Sequence, residues 1–317
     1  MLSLFIDAKY VFIIAVVCAP LLCAALLKAF SKFLPKDHGR AFAVDGEKSA
    51  GKIRGAGIIL TCSFIISALL FASCKPEYAI YYVLIFLSML SGYLDDRSEE
   101  PWGGLKKGII DLFISAAVAF TFVYFNKELL LVSFFGHAVN VHPVVYVILG
   151  TVLVWTLINA VNCTDGIDGF CATLSSVSFI SFAAVIALNK TDSSMLYLTL
   201  VMLLTLMPYL WKNAQPSSML MGDAGSRALG VFMAIAAMKS GNALLAIPLC
   251  FVIFVDGLIG ITKIVLIKVF HSKILNKIRT PLHDHSRKNK GWSDTQVIYR
   301  YCIIQALISL FTVGTML

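Results

Sequence analysis

Two apolar runs, residues 143–161 and 169–189, meet at the polar segment Asn159-Ala-Val-Asn-Cys-Thr-Asp-Gly-Ile-Asp-Gly169. Each run is long enough to cross a bilayer as a helix, so the segment lies at the edge of a membrane. Two Asn, two Asp and two Gly are costly in that setting unless they have a function. A tight turn also favours these residue types, but it rarely needs so many of them. The segment therefore predicts a helical membrane protein with polar chemistry at one membrane face.

The composition of the whole chain supports a multi-pass membrane protein. Apolar residues make up 59% of its 317 residues and charged residues 14%, against about 45–50% and about 25% in soluble domains. Only helices and closed barrels satisfy their backbone in lipid, and these runs lack the alternating polarity of barrel strands. We predict an all-α bundle of ten transmembrane helices, at residues 10–31, 54–74, 78–94, 108–125, 143–161, 169–189, 194–211, 227–240, 243–267 and 297–316.

Lys and Arg residues predict the orientation of the bundle, because they favour the cytoplasmic side. With the N-terminus outside, 21 of the 26 fall in cytoplasmic segments, Lys212 and Arg227 among them. Both termini are therefore expected outside the cytoplasm. The net charge of +8 reflects this bias and an attraction to anionic headgroups and substrates, so it requires no nucleic-acid partner.

The remaining composition favours one domain without a cysteine-based metal site. No repeat, low-complexity tract or soluble domain is visible, and we interpret residues 1–317 as one membrane domain. The eight Cys residues show no CxxC or Cys/His spacing, and most lie inside predicted spans. Cys residues in that setting are typical packing residues.

Four polar loops fall on the cytoplasmic face in this topology. They contain Asp95-Asp96, the Asn159–Asp168 segment, Asp223, and His283-Asp284-His285. Random placement would scatter acidic residues over both faces, so their gathering indicates one shared site, with active-site chemistry on the cytoplasmic side. Oxygen ligands without thiolates suit Mg²⁺, which binds few carboxylates and keeps places for substrate phosphates. Phosphoryl transfer requires such charge neutralisation.

Each motif also has a structural alternative. Asp95-Asp96 could be a solvated helix end, although an acid there opposes the helix dipole. Asp223 in Gly222-Asp-Ala-Gly-Ser226 could cap a helix. His283 and His285 could be ordinary loop residues, but the basic residues around them suit phosphates.

The motifs resemble those of one enzyme family. Ser91-Gly-Tyr-Leu-Asp-Asp96, the Asn159–Gly169 segment and Met221-Gly-Asp-Ala-Gly-Ser226 are similar, in order, to motifs of the polyprenyl-phosphate N-acetylhexosamine-1-phosphate transferases of glycosyltransferase family 4. Pro281-Leu-His-Asp-His285, followed by Lys290-Gly-Trp292, most resembles the phospho-N-acetylmuramoyl-pentapeptide transferase branch. The resemblance covers nearly the whole chain.

The resemblance implies a ten-span enzyme of the bacterial cytoplasmic membrane. Such an enzyme transfers a phospho-sugar from a UDP-sugar to a polyprenyl phosphate, here undecaprenyl phosphate, and releases UMP. In the muramyl branch the donor carries phospho-MurNAc-pentapeptide, and the product is lipid I of peptidoglycan synthesis. The resemblance further implies Mg²⁺ as cofactor, the lipid bilayer as surroundings and a homodimer.

The resemblance also implies roles for individual residues. Asp223 is expected to ligate Mg²⁺, with Asn162 as second ligand. Asp95 is the candidate for deprotonating or orienting the lipid phosphate, and Asp96 for supporting metal and phosphate binding. The other expected substrate-binding residues are Lys107 at a phosphate, Asn159, Asp165, Gly166 and Asp168 around the nucleotide, Asn213 before the Gly-Asp motif, and His283 and His285.

The chain departs from the family pattern at several positions. Lys52-Ile-Arg-Gly-Ala-Gly57 stands where the muramyl branch has Thr-Pro-Thr-Met-Gly-Gly, and Asp284 interrupts what is usually a run of three His residues. Leu220 replaces an aromatic residue that stacks on uracil, and Asp111 replaces a Gln. The departures leave open a paralogue that uses UDP-GlcNAc or another UDP-N-acetylhexosamine for a different cell-envelope glycan.

Two other classes of membrane protein serve as alternatives. A secondary transporter binds near the bilayer midplane, often between repeated halves, whereas here the acidic residues crowd one face. A CDP-alcohol phosphatidyltransferase needs Ala-Arg after its first Asp-Gly, and this chain has Ile167-Asp168 there. Mg²⁺-dependent release of UMP from a UDP-sugar would separate the leading hypothesis from both.

Two carboxylates fall inside predicted spans. Asp111 lies four residues after Lys107, which permits an i,i+4 ion pair. Asp256 lies well within the ninth span, where an ionisable group is costly and often functional. We interpret Asp256 as part of a buried structural pair or a local helix break.

Overall fold

Twelve α-helices dominate the computed structural model, which describes residues 8–37, 39, 46–72, 75–98, 100–134, 137–272 and 274–317. The expected extracytoplasmic start, residues 1–7, lies outside these ranges. The helices are α1 (Ala8–Phe30), α2 (Gly57–Phe71), α3 (Pro76–Arg97), α4 (Gly104–Phe125), α5 (Pro143–Thr164), α6 (Phe170–Asn189), α7 (Ser193–Asn213), α8 (Gly222–Lys239), α9 (Ala246–Leu249), α10 (Phe251–Lys268), α11 (Leu282–Lys288) and α12 (Asp294–Gly314). A two-stranded antiparallel hairpin between α4 and α5 consists of β1 (Leu131–Phe134) and β2 (His137–Asn140).

Each predicted span overlaps a helix, and the prediction of a helical membrane protein is confirmed. In the described part of the chain, seven helices are long and apolar enough to cross a membrane: α1, α3, α4, α5, α6, α7 and α12. Helices α9 and α10 form an eighth, broken span. Helix α2 is apolar but has 15 residues, and α8 carries three charged residues.

The ninth predicted span is not the continuous helix that the sequence suggested. Its two parts, Ala243–Leu249 and Phe251–Gly260, are bent by 84° where they meet. Gln305 of α12 satisfies the backbone at this break, because its side chain accepts from the N–H of Val252 (2.9 Å) and donates to the carbonyl of Pro248 (3.0 Å). A broken helix persists inside a membrane protein where neighbouring side chains supply such partners.

Helix α8 lies at the centre of the bundle, since every residue from Gly222 to Lys239 is buried. It packs against α3, α5, α2 and α6. Its many Gly and Ala residues let neighbouring backbones approach closely, which drives helix association in lipid. Its charged residues are therefore enclosed by protein and need partners there.

A buried ionic cluster surrounds Lys239 at the C-terminal end of α8. The ammonium of Lys239 lies 2.6 Å from Asp192 and 3.1 Å from Glu77, and it donates to the amide oxygen of Asn126 (2.7 Å). Tyr81 and Asn126 also donate to Glu77. The cluster joins the start of α3, the end of α4 and the loop before α7 to the end of α8.

Asp192 makes this cluster sensitive to acid. Burial by itself would raise the pKa of Asp192, but the hydrogen bond and the charge of Lys239 outweigh burial and leave that pKa below its ordinary value. A carboxyl group with a lowered pKa in the folded state stabilises the fold above its unfolded pKa of about 3.9. That stabilisation is lost as the pH falls through the folded-state pKa.

We expect the Asp192→Asn variant to lose about 1.5–3 kcal/mol of stability at neutral pH, because a charge-assisted hydrogen bond is lost. The difference in melting temperature between wild type and variant should stay constant above about pH 5 and shrink below about pH 4. Thermal unfolding in detergent across this pH range measures it, with Lys75→Met as an exposed control. A difference in melting temperature that persists unchanged below about pH 4 would contradict the lowered pKa of Asp192.

Candidate active site

Three acidic residues meet at the opposite end of α8 from Lys239. Helix α3 runs antiparallel to α8, so its last turn, with Asp95 and Asp96, lies beside the first turn of α8, with Asp223. Gly92 makes the approach possible, because a Cβ at that position would collide with the backbone of Asp223 and Ala224. All three carboxylates are buried. The predicted gathering of these acidic residues is thus present.

Asp223 does not lie in a loop, as the sequence suggested, but in the first turn of α8. The helix begins five residues before the predicted span, since a carboxylate is compatible with the positive end of the helix dipole. Asn159 and Asn162 likewise lie inside α5 rather than in the connecting loop.

Lys107 of α4 links two of the acidic residues. Its ammonium contacts the Oδ2 atom of Asp95 and lies 3.2 Å from Oδ2 of Asp223. The other oxygen of Asp95 accepts from the backbone N–H of Trp102 (2.7 Å). The Lys107 side chain keeps 26% of its surface exposed, whereas the side chains of Asp95 and Asp223 keep 3% and 9%.

Asp96 has a different environment from that of Asp95. Its Oδ1 atom lies 2.9 Å from both Nε and Nη2 of Arg54, and Oδ2 accepts from the backbone N–H of Ala224 (3.2 Å). The Asp96 side chain is completely buried. Because both of its oxygens have protein partners, Asp96 fastens the segment before α2 to the start of α8.

Arg54 and Lys52 are site residues that the sequence analysis did not predict. Lys52 lies 2.7 Å from Oδ2 of Asp168 and donates to Ser217 (2.9 Å). The backbone N–H of Ser217 also donates to Asp168 (3.1 Å). The sequence signal for both residues is the departure from the family pattern at 52–57, where Lys52 and Arg54 stand in place of two Thr residues.

The turn between α5 and α6 is tied to the loop before α8. Asn213 accepts from the backbone N–H of Gly169 (2.9 Å) and donates to the carbonyl of Met219 (2.9 Å). It is buried, and its amide group is used to join the two segments. Asp165 and Gly166 lie in this turn, directly after the end of α5.

The two predicted Asn residues of α5 lie on one face of the helix. Asn162 donates to the hydroxyl of Ser226 on α8 (2.9 Å), which places it beside the first turn of α8. Asn159 is half-buried and donates to the carbonyl of Trp155 (2.8 Å). Residues three apart share a helix face, so both amides border the same site.

His283 and His285 lie on the short helix α11 instead of an irregular loop. His283 is buried and packs against the turn that contains Gly166. His285 is half-buried and accepts from the backbone N–H of Arg279 (3.3 Å). The structure brings His283, but not His285, against the α5–α6 turn.

Asp111 does not pair with Lys107. Asp111 lies 3.0 Å from Nη1 of Arg227. The same nitrogen donates to Ser91 (3.3 Å), and Nε of Arg227 lies 3.8 Å from Asp223. Arg227, expected among the cytoplasmic loop charges, is 3% exposed inside the bundle. The sequence misplaced it because it stands at the start of the predicted eighth span.

The residues around the start of α8 include oxygen donors of the kind that Mg²⁺ prefers. Asp95 and Asp223 supply carboxylate oxygens near the start of α8, and Asn162, whose amide nitrogen donates to Ser226, lies beside them. No group of three or more His, Cys, Asp or Glu side chains suited to hold a metal ion occurs among the described residues. Mg²⁺ bound by one or two carboxylates and phosphate oxygens needs no such group.

The fold and site define a multi-pass membrane protein with an acid-rich site at one end of its bundle. Residues 78–241 match the glycosyl transferase family 4 model. The chain is 35% identical over 309 residues to the phospho-N-acetylmuramoyl-pentapeptide-transferase of Treponema pallidum (strain Nichols), with 92% of this chain and 85% of that protein covered. Similarly named proteins of Wolbachia (Brugia malayi, strain TRS) and Brachyspira hyodysenteriae are 26% and 25% identical, over 82% of this chain and 83% and 80% of theirs. The chain therefore belongs to glycosyl transferase family 4.

We expect the Arg227→Leu variant to lose about 3–5 kcal/mol of stability, because Asp111 is left as a buried charge without its partner. The double variant Arg227→Leu with Asp111→Leu should recover much of that loss, since buried ion pairs can be replaced by apolar side chains. Thermal unfolding of both variants and of Asp111→Leu in detergent measures the coupling. Strictly additive losses would contradict the pairing.

Proposed function

We propose that this protein transfers phospho-N-acetylmuramoyl-pentapeptide from its UDP-linked donor to undecaprenyl phosphate in peptidoglycan synthesis. The products are a polyprenyl diphosphate sugar, lipid I, and UMP. The observation that carries the proposal is the meeting of Asp95, Lys107 and Asp223 from three different helices. The names of the relatives support the choice of the transferred group, phospho-N-acetylmuramoyl-pentapeptide.

The proposed topology has ten spans, with both termini outside the cytoplasm and the site on the cytoplasmic face of the bacterial inner membrane. The overlap of each predicted span with a helix supports ten crossings. The distribution of Lys and Arg residues supports the orientation. A cytosolic nucleotide donor and a membrane phosphate would meet at that face. The proposed unit is one domain, residues 1–317, assembled as a homodimer by family resemblance.

The proposed metal is Mg²⁺, held by Asp223 with Asn162 as a second ligand. When bound, the ion would neutralise phosphate charge and orient the groups that react. Asp223 lies in the first turn of α8, and Asn162 of α5 contacts Ser226 one turn further on, which supports this assignment. Asp96, fastened by Arg54, would support the metal and phosphate site by holding the start of α8 in place.

The proposed transfer is a direct attack without a covalent enzyme intermediate. Asp95 takes the proton from the acceptor phosphate or orients it, and Lys107 attracts the incoming phosphate charge. An oxygen of the acceptor then bonds to the sugar-linked phosphorus as its bond to the UMP oxygen breaks. The contact between Lys107 and Asp95 supports a shared role at this step.

The proposed nucleotide site lies at the α5–α6 turn. Asn159, Asp165, Gly166 and Asp168 surround the nucleotide in this proposal, with His283 on the adjoining side. Asp168 and Lys52 form a 2.7 Å ion pair at this turn. We therefore propose that the nucleotide binds beside the carboxylate of Asp168 while Lys52 holds that carboxylate in place. The 52–57 segment of this chain supplies the lysine.

An apolar groove on the bundle has the chemical character to bind a long hydrocarbon chain. A cavity of about 510 Å³ follows the break between α9 and α10 and is lined by Ile247, Phe251, Phe254, Val255, Leu258, Ile259 and Thr262. Apolar walls of this kind suit a polyprenyl chain. We propose that the acceptor's chain lies in this groove.

Purified protein should release UMP from UDP-MurNAc-pentapeptide when supplied with undecaprenyl phosphate and Mg²⁺. Removal of divalent metal with EDTA should abolish the reaction, and added Mg²⁺ should restore it. The assay runs in parallel with UDP-GlcNAc and other UDP-N-acetylhexosamines. Turnover of UDP-GlcNAc alone would replace the muramyl donor in the proposal, and no turnover of any UDP-sugar would refute it.

We expect Asp223→Ala and Asp95→Asn each to lower kcat by about 10²-fold or more, because each removes a group that acts on phosphate charge or a proton. Steady-state rates of UMP release measure the loss, and thermal unfolding checks that the variants fold. Glu128→Gln, an exposed acid beyond the far end of α4, is the matched control. Near-normal turnover of either folded site variant would exclude that residue from the site.

A further inference from the structure

Asp256 directs both of its oxygen atoms at one residue of the candidate site. It lies in α10 and is completely buried. Its Oδ1 atom accepts from the backbone N–H of His283 (2.7 Å), and Oδ2 lies 2.8 Å from Nδ1 of the His283 ring. One carboxylate therefore holds the backbone and the imidazole of His283 together.

This contact determines which ring nitrogen carries hydrogen. An ionised carboxylate accepts hydrogen bonds and has no proton to donate. With Asp256 as a carboxylate anion, Nδ1 of His283 is the N–H donor, and Nε2 is the nitrogen left for other partners. The arrangement holds whether the imidazole is neutral or charged, because Nδ1 keeps its hydrogen in both forms.

The Nε2 edge of His283 faces the proposed nucleotide turn. A Cβ at Gly166 would collide with Nε2 and would lie 2.8 Å from Cε1, so the ring packs directly on the backbone of this turn. Phe170 contacts the ring edge-on, with centroids 5.7 Å apart. Asp284 lies 3.7 Å from Nε2, which is too long for a hydrogen bond. The imidazole thus has a fixed position between α10 and the turn.

A helix bundle has little structural need for a charge at this fully buried position. Placing a carboxylate in a protein interior costs several kcal/mol of desolvation, and an ionisable residue within a membrane span is a functional candidate by default. Packing α11 against α10 would require only apolar contacts. A role for Asp256 in setting the tautomer and the orientation of the His283 ring would account for the desolvation cost of its carboxylate.

We propose that Asp256 is a positioning residue, which fixes His283 so that its Nε2 atom meets the donor substrate at the Gly166 turn. This inference rests on the proposed function for the identity of the donor. In this proposal Asp256 acts on the reaction through His283 and does not contact the substrate. It also explains why residue 166 must be Gly, since a side chain there would displace the imidazole.

The Asp256→Asn variant reverses the tautomer. Its amide oxygen can still accept from the backbone N–H of His283, which leaves the amide NH₂ facing Nδ1. Nδ1 must then accept, and Nε2 carries the hydrogen. We expect kcat for UMP release to fall by about 10²-fold, with the KM of undecaprenyl phosphate unchanged. Asp256→Glu keeps a carboxylate and should have a higher kcat than Asp256→Asn.

A double-mutant cycle separates positioning from general stability. In a His283→Gln background, Asp256→Asn should cause no further loss of kcat, because the residue on which it acts is absent. Ser286→Ala is the matched control, since it removes another buried hydrogen bond of α11, to Tyr301 (2.8 Å), without touching His283. It should keep the wild-type kcat. Additive losses in the cycle, or an unchanged kcat in Asp256→Asn, would overturn the proposal.

A spectroscopic readout tests the same contact without any substrate. In the full-length protein with ¹⁵N-labelled His, assigned by comparison with His283→Gln, the ring of His283 should show a protonated Nδ1. In Asp256→Asn the hydrogen should move to Nε2. A wild-type signal with unprotonated Nδ1 would overturn the proposal. If no UDP-sugar is turned over but this tautomer change occurs, the proposed function fails and the pairing stands.

Discussion

The pairing of charges along helix α8 is the constraint on which the rest of the structure depends. This helix is buried from end to end, so its charged side chains are largely removed from solvent and need partners from other helices. Asp223 contacts Lys107, Arg227 contacts Asp111, and Lys239 contacts Glu77. These three partners come from α3 or α4, and Lys239 also pairs with Asp192 in the loop before α7. The pairs therefore fix the rotation and the height of these helices against α8.

The same constraint builds the site. Once α3 is held antiparallel to α8, the last turn of α3 must lie beside Asp223, and Asp95 and Asp96 enter the site together. Their surroundings then differ, since Lys107 faces Asp95 from an accessible side while Arg54 encloses Asp96. Two neighbouring residues of the same type thereby have different partners: Asp95 pairs with the partly exposed Lys107, whereas Asp96 holds the segment before α2.

Much of this could be predicted from the sequence, and the failures share one cause. The apolar runs predicted the helices, and the one-sided distribution of acidic residues predicted the cluster around Asp223. The partner of Asp111 was wrong, because a residue four positions away on the same helix is visible in sequence whereas Arg227, on another helix, is not. The break before Phe251 was missed for the same reason, since Gln305 supplies the missing partners from a distant helix.

The sequence by itself determined that this is a helical membrane protein of glycosyl transferase family 4, and it predicted the acidic cluster of Asp95, Asp96 and Asp223. Hydropathy decides which segments can enter lipid, and motif order identifies the family. The tertiary structure alone decided which charge faces which, including the contact of Asp256 with His283 across 27 residues. The physical reason is that the rotation of a helix about its axis is set by packing and by paired charges, and neither leaves a periodic mark on the chain.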